Sequence, residues 1–200
     1  GWTMNLIARP LLDQGELPDG VGRRPWTADE LGAMARAGIL HEDDRVELIG
    51  GEVVAISPKG ARHEVLRNER ILNWGDRRPR DVKIAEEAPL RLDTHDEAVP
   101  DIILCTAGKY VSDIDGGRVL RVIEVADSSR SYDIRIKGPL YAAFGVREYG
   151  MIDAMTLVTT VHRDPSRDRY RSVSDVAPAD VLTPTTAPGL AVRLAEIRLD

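Results

Sequence analysis

VLRVIEVADSSRSYDIRIK, residues Val119 to Lys137, decides how this chain is read. Its first eight residues form a nearly continuous apolar run rich in β-branched side chains, as expected of a central strand covered on both faces. Glu124 interrupts that run between Ile123 and Val125. A buried carboxylate without a partner costs several kcal/mol or neutralises itself, so this one requires company. From Ser131 the pattern becomes helical and continues to Phe144, with Pro139 expected to kink the helix or begin a new first turn. Asp133, Lys137 and Tyr141 recur at i, i+4 and i+8 and therefore share one helix face. Lys137 either reaches the strand from that face or forms a surface pair with Asp133 worth only ~0.3–0.5 kcal/mol.

A second apolar run, VPDIILC (residues 99–105), precedes this one and carries Asp101 at its start. If the two runs are neighbouring strands, Asp101 and Glu124 come close on one face, where like charges in a low dielectric destabilise each other. A hard divalent cation relieves that repulsion. Mg²⁺ is satisfied by a few carboxylates completed by water, and Glu47 and Glu52 are the candidates for a third contributor.

Those two acids lie on RVELIGGEVVAIS (residues 45–57), read as a hairpin because Gly50-Gly51 allows the positive φ of a two-residue turn. The alternation there puts Glu47 on the face opposite Val46. Upstream, TADE is a capping box, with Thr27 at the N-cap and Glu30 three residues on, and Gly38 closes the helix it starts. Residues 1–24, with Pro10, Gly15, Pro18, Gly20 and Gly22, read as an arm of low intrinsic order, and Met4 is the expected native start. A second amphipathic helix is expected over His63–Trp74 and strands near 82–85, 90–92, 146–152, 157–162 and 170–173. LAVRLAEIRL at the end reads as a strand or a short helix. Helices and strands mixed without repeats indicate an α/β (α+β) domain over residues 25–200.

Composition narrows the function. At 200 residues, 42% hydrophobic and 30% charged, the chain is ordinary for a soluble globular protein. Its net charge of −6 argues against coating nucleic acid by bulk positive potential. A local basic rim remains open: Arg67, Arg70, Arg77, Arg78, Arg80 and Lys83 form either that rim or a solvated helix face. The single Cys105 lies in an apolar run and is expected to be a small buried hydrophobe. No apolar run approaches membrane-spanning length and no signal pattern is visible, so a cytoplasmic location is expected. Trp26, Trp74 and Tyr149 are expected in a core or interface, because only 4% of residues are aromatic. His41, His95 and His162 read as surface residues.

The ordered set VELIGGEVVAIS, His63 after Pro58, PDIIL, VIEV with Ser128-Ser129, YDIRIKGPLYAAFGVREY and MIDAMTLV resembles the Uma2 family of restriction-endonuclease-like proteins, within the PD-(D/E)XK nuclease superfamily. The likeness runs from about Pro25 to Arg163. It implies a restriction-endonuclease-like core, a central mixed sheet flanked by helices with an N-terminal helix and hairpin. It also implies roles: Asp101, Glu124 and Glu47 as metal ligands, Glu52 as the glutamate of the family's GE turn, and Lys137 as the catalytic lysine. His63 matches a frequent family histidine, as a general base or DNA contact; the plain alternative is a helix-start residue with a satisfied ring. Arg130 and Arg135, which precede the lysine on its helix, are expected to contact substrate. The superfamily's usual lysine position, two residues after the glutamate, holds Ala126, so Lys137 must reach the site from another element. Asp127 stands where the family commonly has Ser, and Gly150 where it has Trp.

The leading reading is a Mg²⁺- or Mn²⁺-dependent DNA endonuclease acting as a homodimer, since duplex cutting usually needs two sites. The competing readings are a nuclease fold kept as a nucleic-acid or protein binding module, and a hydrolase of small phosphoesters.

Overall fold

The computed structural model describes residues 22–41, 43–75, 77–107, 118–127 and 130–197. Most of the expected N-terminal arm, the glycine-rich loop after Ala107 and Ser128-Ser129 lie outside the described residues. Helix α1 (Ala28–Arg36) begins as its sequence requires: Thr27 Oγ1 accepts from the Glu30 amide at 3.2 Å and Glu30 returns a carboxylate to the Thr27 amide at 2.9 Å. Gly38, at φ +70°, follows its end. Strands β1 (Val46–Ile49) and β2 (Glu52–Ala55) form the hairpin, with Gly50 and Gly51 at φ +58° and +80°.

Helix α2 (Ala61–Gly75) leads to β3 (Val82–Glu86), two short strands β4 (Leu90–Arg91) and β5 (Glu97–Ala98), then β6 (Ile102–Thr106) and β7 (Val119–Ala126). The helical segment after β7 is continuous but not uniform. It runs as α3 (Arg130–Tyr132), a π-helical turn (Asp133–Lys137) and α4 (Gly138–Ala143). Pro139, which has no N–H to donate, falls in the first turn of α4, after the Gly138 amide has bonded back to the Asp133 carbonyl.

Strands β8 (Glu148–Asp153), β9 (Thr159–Ser166) and β10 (Arg169–Val176) complete the main sheet. Strand β9 begins later than its apolar pattern suggests. Leu157 sits at φ +59° in a turn that Asp153 closes by accepting from the Met155 and Thr156 amides at 2.9 Å each. The terminal LAVRLAEI is part of neither sheet; Val192 bridges to Leu182 and a 3-10 turn follows at Leu194–Glu196.

The described residues form two sheets, one of four strands (β2-β1-β5-β4) and one of six (β10-β9-β8-β7-β6-β3). In the larger sheet β7 and β8 are parallel and the other pairs antiparallel, a mixed sheet with helices on both sides. All eight residues of β7 are buried. Alternation divides them: Ile123 and Val125 face Leu66, Trp74 and the C-terminal segment, whereas Val122 and Ala126 face Tyr141, Ala142 and Tyr149. Glu124 therefore belongs to the α4 side.

The α2 side has its own buried charges. Arg121 is fully buried and its Nη1 lies 2.8 Å from Glu148 Oε1, while Glu148 also takes Arg163 Nε at 2.5 Å and the Thr185 hydroxyl at 2.7 Å. A side chain at position 150 would place its Cβ 2.9 Å from Arg121 Nη2. Gly150 thus leaves no hole: the Arg121 guanidinium fills the space. Arg70 lies fully buried nearby, stacked 4.4 Å above the Trp74 ring.

The expected basic rim is dispersed. Arg67 and Arg70 are buried, Arg77 bonds the carbonyls of Gly189 and Ala191, and Arg78 bonds that of Val82. Two of the six cations are therefore buried, while Arg77, Arg78 and Arg80 stay at the surface. Cys105, Trp74 and Tyr149 are buried as expected, whereas Trp26 is 40% exposed. His162 is not on the surface; it is half-buried and stacked 5.0 Å from Tyr149, while His95 bonds the Trp26 carbonyl.

Candidate active site

Strands β6 and β7 bring the two strand carboxylates together. Their register sets Ile102 opposite Ile123, which places Asp101, one residue before β6, against Glu124. The Asp101 amide points to Glu124 Oε2 at 3.4 Å, and the Val125 amide donates to Asp101 Oδ2 at 2.7 Å. Asp101 is 1% and Glu124 3% exposed. Neither is solvated, so protein groups or a cation must neutralise them.

Lys137 answers for Glu124. It is buried, with Nζ 2.5 Å from Glu124 Oε1, 3.0 Å from Glu47 Oε1 and 3.9 Å from Asp133 Oδ1, which disposes of the surface-pair alternative. The π turn explains how this face is assembled. Tyr132 and Lys137 are five residues apart, a spacing that a regular α-helix would splay but a wider turn brings into line. Tyr132 then donates to Glu47 Oε2 at 2.7 Å, and Tyr141 donates to Glu124 Oε1 at 2.8 Å. Glu47 also accepts from the Val99 amide at 2.8 Å, so three protein donors hold its two oxygens. Burial works against the Lys137 ammonium, but the carboxylates of Glu124, Glu47 and Asp133 outweigh it and raise its pKa above the usual lysine value. Burial pushes Glu124 upward, opposed by Lys137.

Asp101 has a different set of partners. His63, 2% exposed at the start of α2, meets Asp101 Oδ2 through Nε2 at 2.9 Å. Burial, reinforced by Lys59 and Arg67, lowers the His63 pKa to about 3, so the neutral ring donates from Nε2. Asp101 Oδ1 is in contact with the Lys59 ammonium. Lys59 lies on the loop between β2 and α2, and Gly60 lets that loop pass close to Asp127: a Cβ there would stand 2.9 Å from Asp127 Oδ2. Glu87 stands behind Lys59, 3.5 Å from its Nζ, and also takes Arg45 at 2.7 Å and Arg67 at 2.5 Å. Its backbone is in the left-handed region at φ +42°, uncommon for a non-glycine residue, and its amide bonds the Asp101 carbonyl at 3.2 Å. A cleft of about 240 Å³, lined by Asp44, Arg45, Val46, Ile56, Glu87 and Val99, adjoins this cluster.

Of the sequence candidates, the fold brings together Asp101, Glu124, Glu47, Lys137 and His63. Arg135 is exposed on the π turn, and Glu52 is half-buried at the turn end of the hairpin, opposite Ile49. The side chain of Arg130 lies outside the described residues. Lys59, Glu87 and Tyr132 were not legible as site residues; Pro58 and Gly60 mark a loop in the sequence, and no local pattern says what a lysine between them will touch.

Among the described residues three buried carboxylates, Glu47, Asp101 and Glu124, meet the two ammonium groups of Lys59 and Lys137. Among the described residues no three His, Cys, Asp or Glu side chains are grouped to hold a metal ion. The two-carboxylate pair does fit a hard cation that keeps much of its water. Among the described residues, Asp101 Oδ1 meets the Lys59 ammonium, and Glu124 Oε2 takes a long contact from the Asp101 amide.

Comparison with known proteins bears on the family and the fold. The model of the family described as "Uma2: Putative restriction endonuclease" matches residues 28–195. Among solved structures, a "putative nuclease belonging to DUF820" from Anabaena variabilis is similar with a TM-score of 0.64 at 16% identity, over 86% of this chain and 97% of that one. At that identity the likeness establishes the fold. No curated protein matches the chain. Among the described residues no helix is long and apolar enough to cross a membrane.

Proposed function

The chain belongs to the Uma2 family, and from that premise we propose that it is a divalent-cation-dependent endonuclease that hydrolyses phosphodiester bonds of DNA. The observation that carries this reading is the buried pair Asp101 and Glu124, set side by side by β6 and β7, with Lys137 held beside them. Asp101 and Glu124 would hold Mg²⁺ or Mn²⁺. When bound, such a cation supplies Lewis acidity toward the phosphate and makes water nucleophilic near neutral pH.

The chain's own residues do the rest. Lys137 keeps its positive charge, and its ammonium stabilises the negative charge that develops on the phosphate. Glu47, oriented by Tyr132 and the Val99 amide, holds Lys137 in place, and Tyr141 orients Glu124. His63 fixes the orientation of Asp101 by donating to Oδ2, leaving Oδ1 for the cation. Arg130 and Arg135, on the helix that carries Lys137, serve the DNA backbone. Duplex cleavage by one such site per chain calls for a homodimer.

The test is cleavage of plasmid DNA with Mg²⁺ or Mn²⁺ by wild type and Glu124→Ala. Wild type is expected to cut, and the variant to lose more than about 100-fold of the rate. Equal activity in both, or none in wild type with either ion, would overturn the reading and leave a binding module.

A further inference from the structure

Asp101 Oδ1 is the oxygen best placed to receive a cation, and an ammonium already stands on it. Lys59 has two carboxylates within reach, Asp101 and Glu87, the second only 3.5 Å away. The two acceptors differ in what else they hold. Asp101 is 1% exposed and takes its other bonds from fixed groups, the Val125 amide and the His63 ring. Glu87 is more open, at 33% side-chain exposure, and lies at the end of β3 beside the cleft. Its left-handed backbone and its amide bond to the Asp101 carbonyl keep the two acceptors adjacent. The Lys59 side chain is 13% exposed and sits on a loop, so it can swing where Lys137, locked by three carboxylates on a helix, cannot.

We propose that Lys59 is a built-in competitor for the divalent cation: its ammonium neutralises Asp101 in the cation-free protein and transfers to Glu87 when the cation binds. This rests on the endonuclease reading above, and deepens it. In the exchange Asp101 trades an ammonium for a cation, while Lys59 closes on Glu87, already 3.5 Å away and also paired with Arg45 and Arg67. It also explains how a carboxylate as buried as Asp101 remains compatible with folding before any metal arrives. Affinity for the cation is reduced by the fraction of time that Lys59 holds the seat.

Two measurements on the full chain decide the matter. In calorimetric titration with Mn²⁺, Lys59→Met is expected to bind about tenfold more tightly than wild type, because the competitor is gone. Lys59→Arg should restore wild-type affinity. Arg45→Gln removes a positive charge from the same Glu87 cluster without touching Asp101, and should change affinity far less. A gain in Arg45→Gln equal to that in Lys59→Met would reduce the effect to a general field and overturn the proposal. Equal or weaker binding by Lys59→Met would also overturn it. The second measurement needs no variant: amine-reactive labelling of wild type, read by mass spectrometry, is expected to modify Lys59 faster when Mn²⁺ is present, and an unchanged rate counts against the exchange. If wild type binds Mn²⁺ and cuts DNA while Lys59→Met shows unaltered affinity, only the exchange is lost. If neither protein binds Mn²⁺, the exchange and the cation site fall together.

Discussion

The two faces of strand β7 bury different charge. On the α4 side, the carboxylates of Glu124, Asp101 and Glu47 meet two lysines. On the α2 side, Arg121 pairs with the buried Glu148, which also takes Arg163, and Arg70 lies over the Trp74 ring. Burial of ionisable groups is therefore no mark of a functional site in this fold. The difference lies in what the groups face. On the α4 side they converge from five separate elements or loops on two carboxylate oxygens that can accept a ligand. On the α2 side, a guanidinium packs into the space that Gly150 leaves, and another lies on a Trp ring.

Substitutions on the two sides should separate these roles. Lys137→Met has the largest expected effect, leaving Glu124 and Glu47 uncompensated: a loss of about 3–5 kcal/mol in urea denaturation and more than about 100-fold in DNA cleavage. Glu148→Gln should cost a similar 3–5 kcal/mol, roughly, because Arg121 loses its partner, yet calorimetric affinity for Mn²⁺ should not change. A matching loss of Mn²⁺ binding would mean that the two faces are coupled. Gly150→Ala drives a Cβ into Arg121 Nη2 and should cost about 1–3 kcal/mol by thermal melting.

The smallest effect concerns pH. Burial lowers the His162 pKa below its usual value, so between the two the unfolded chain binds the proton that the folded chain refuses. Stability from this group is complete above about pH 6.5 and is lost as pH falls below it, by at most about 1.4 kcal/mol per unit. Melting temperature should therefore fall less steeply below pH 6.5 in His162→Gln than in wild type. Parallel profiles would show that the stacked ring is not responsible.

Much of the architecture was legible because it rests on local rules. The Thr27 capping box, the Gly50-Gly51 turn and the buried β7 strand follow from side-chain chemistry within a few residues. Asp101 and Glu124 were legible for the opposite reason, as charges where the pattern forbids them. Lys137 was readable only as one of two outcomes, because the π turn that aims it depends on packing, not on helical spacing. Lys59 and Glu87 were invisible. Each is an ordinary loop or strand-end charge until tertiary contacts bring the β2–α2 loop over the end of β6. What fills the space at Gly150 was not legible either, since Arg121 lies on the neighbouring strand.

The most direct test of the site is anomalous diffraction from a crystal of the protein soaked in Mn²⁺. One cation should be bound by Asp101 and Glu124, with Lys59 moved toward Glu87 and Lys137 unmoved. A Mn²⁺ ion bound elsewhere, or none while Lys59 stays on Asp101, would contradict the assignment.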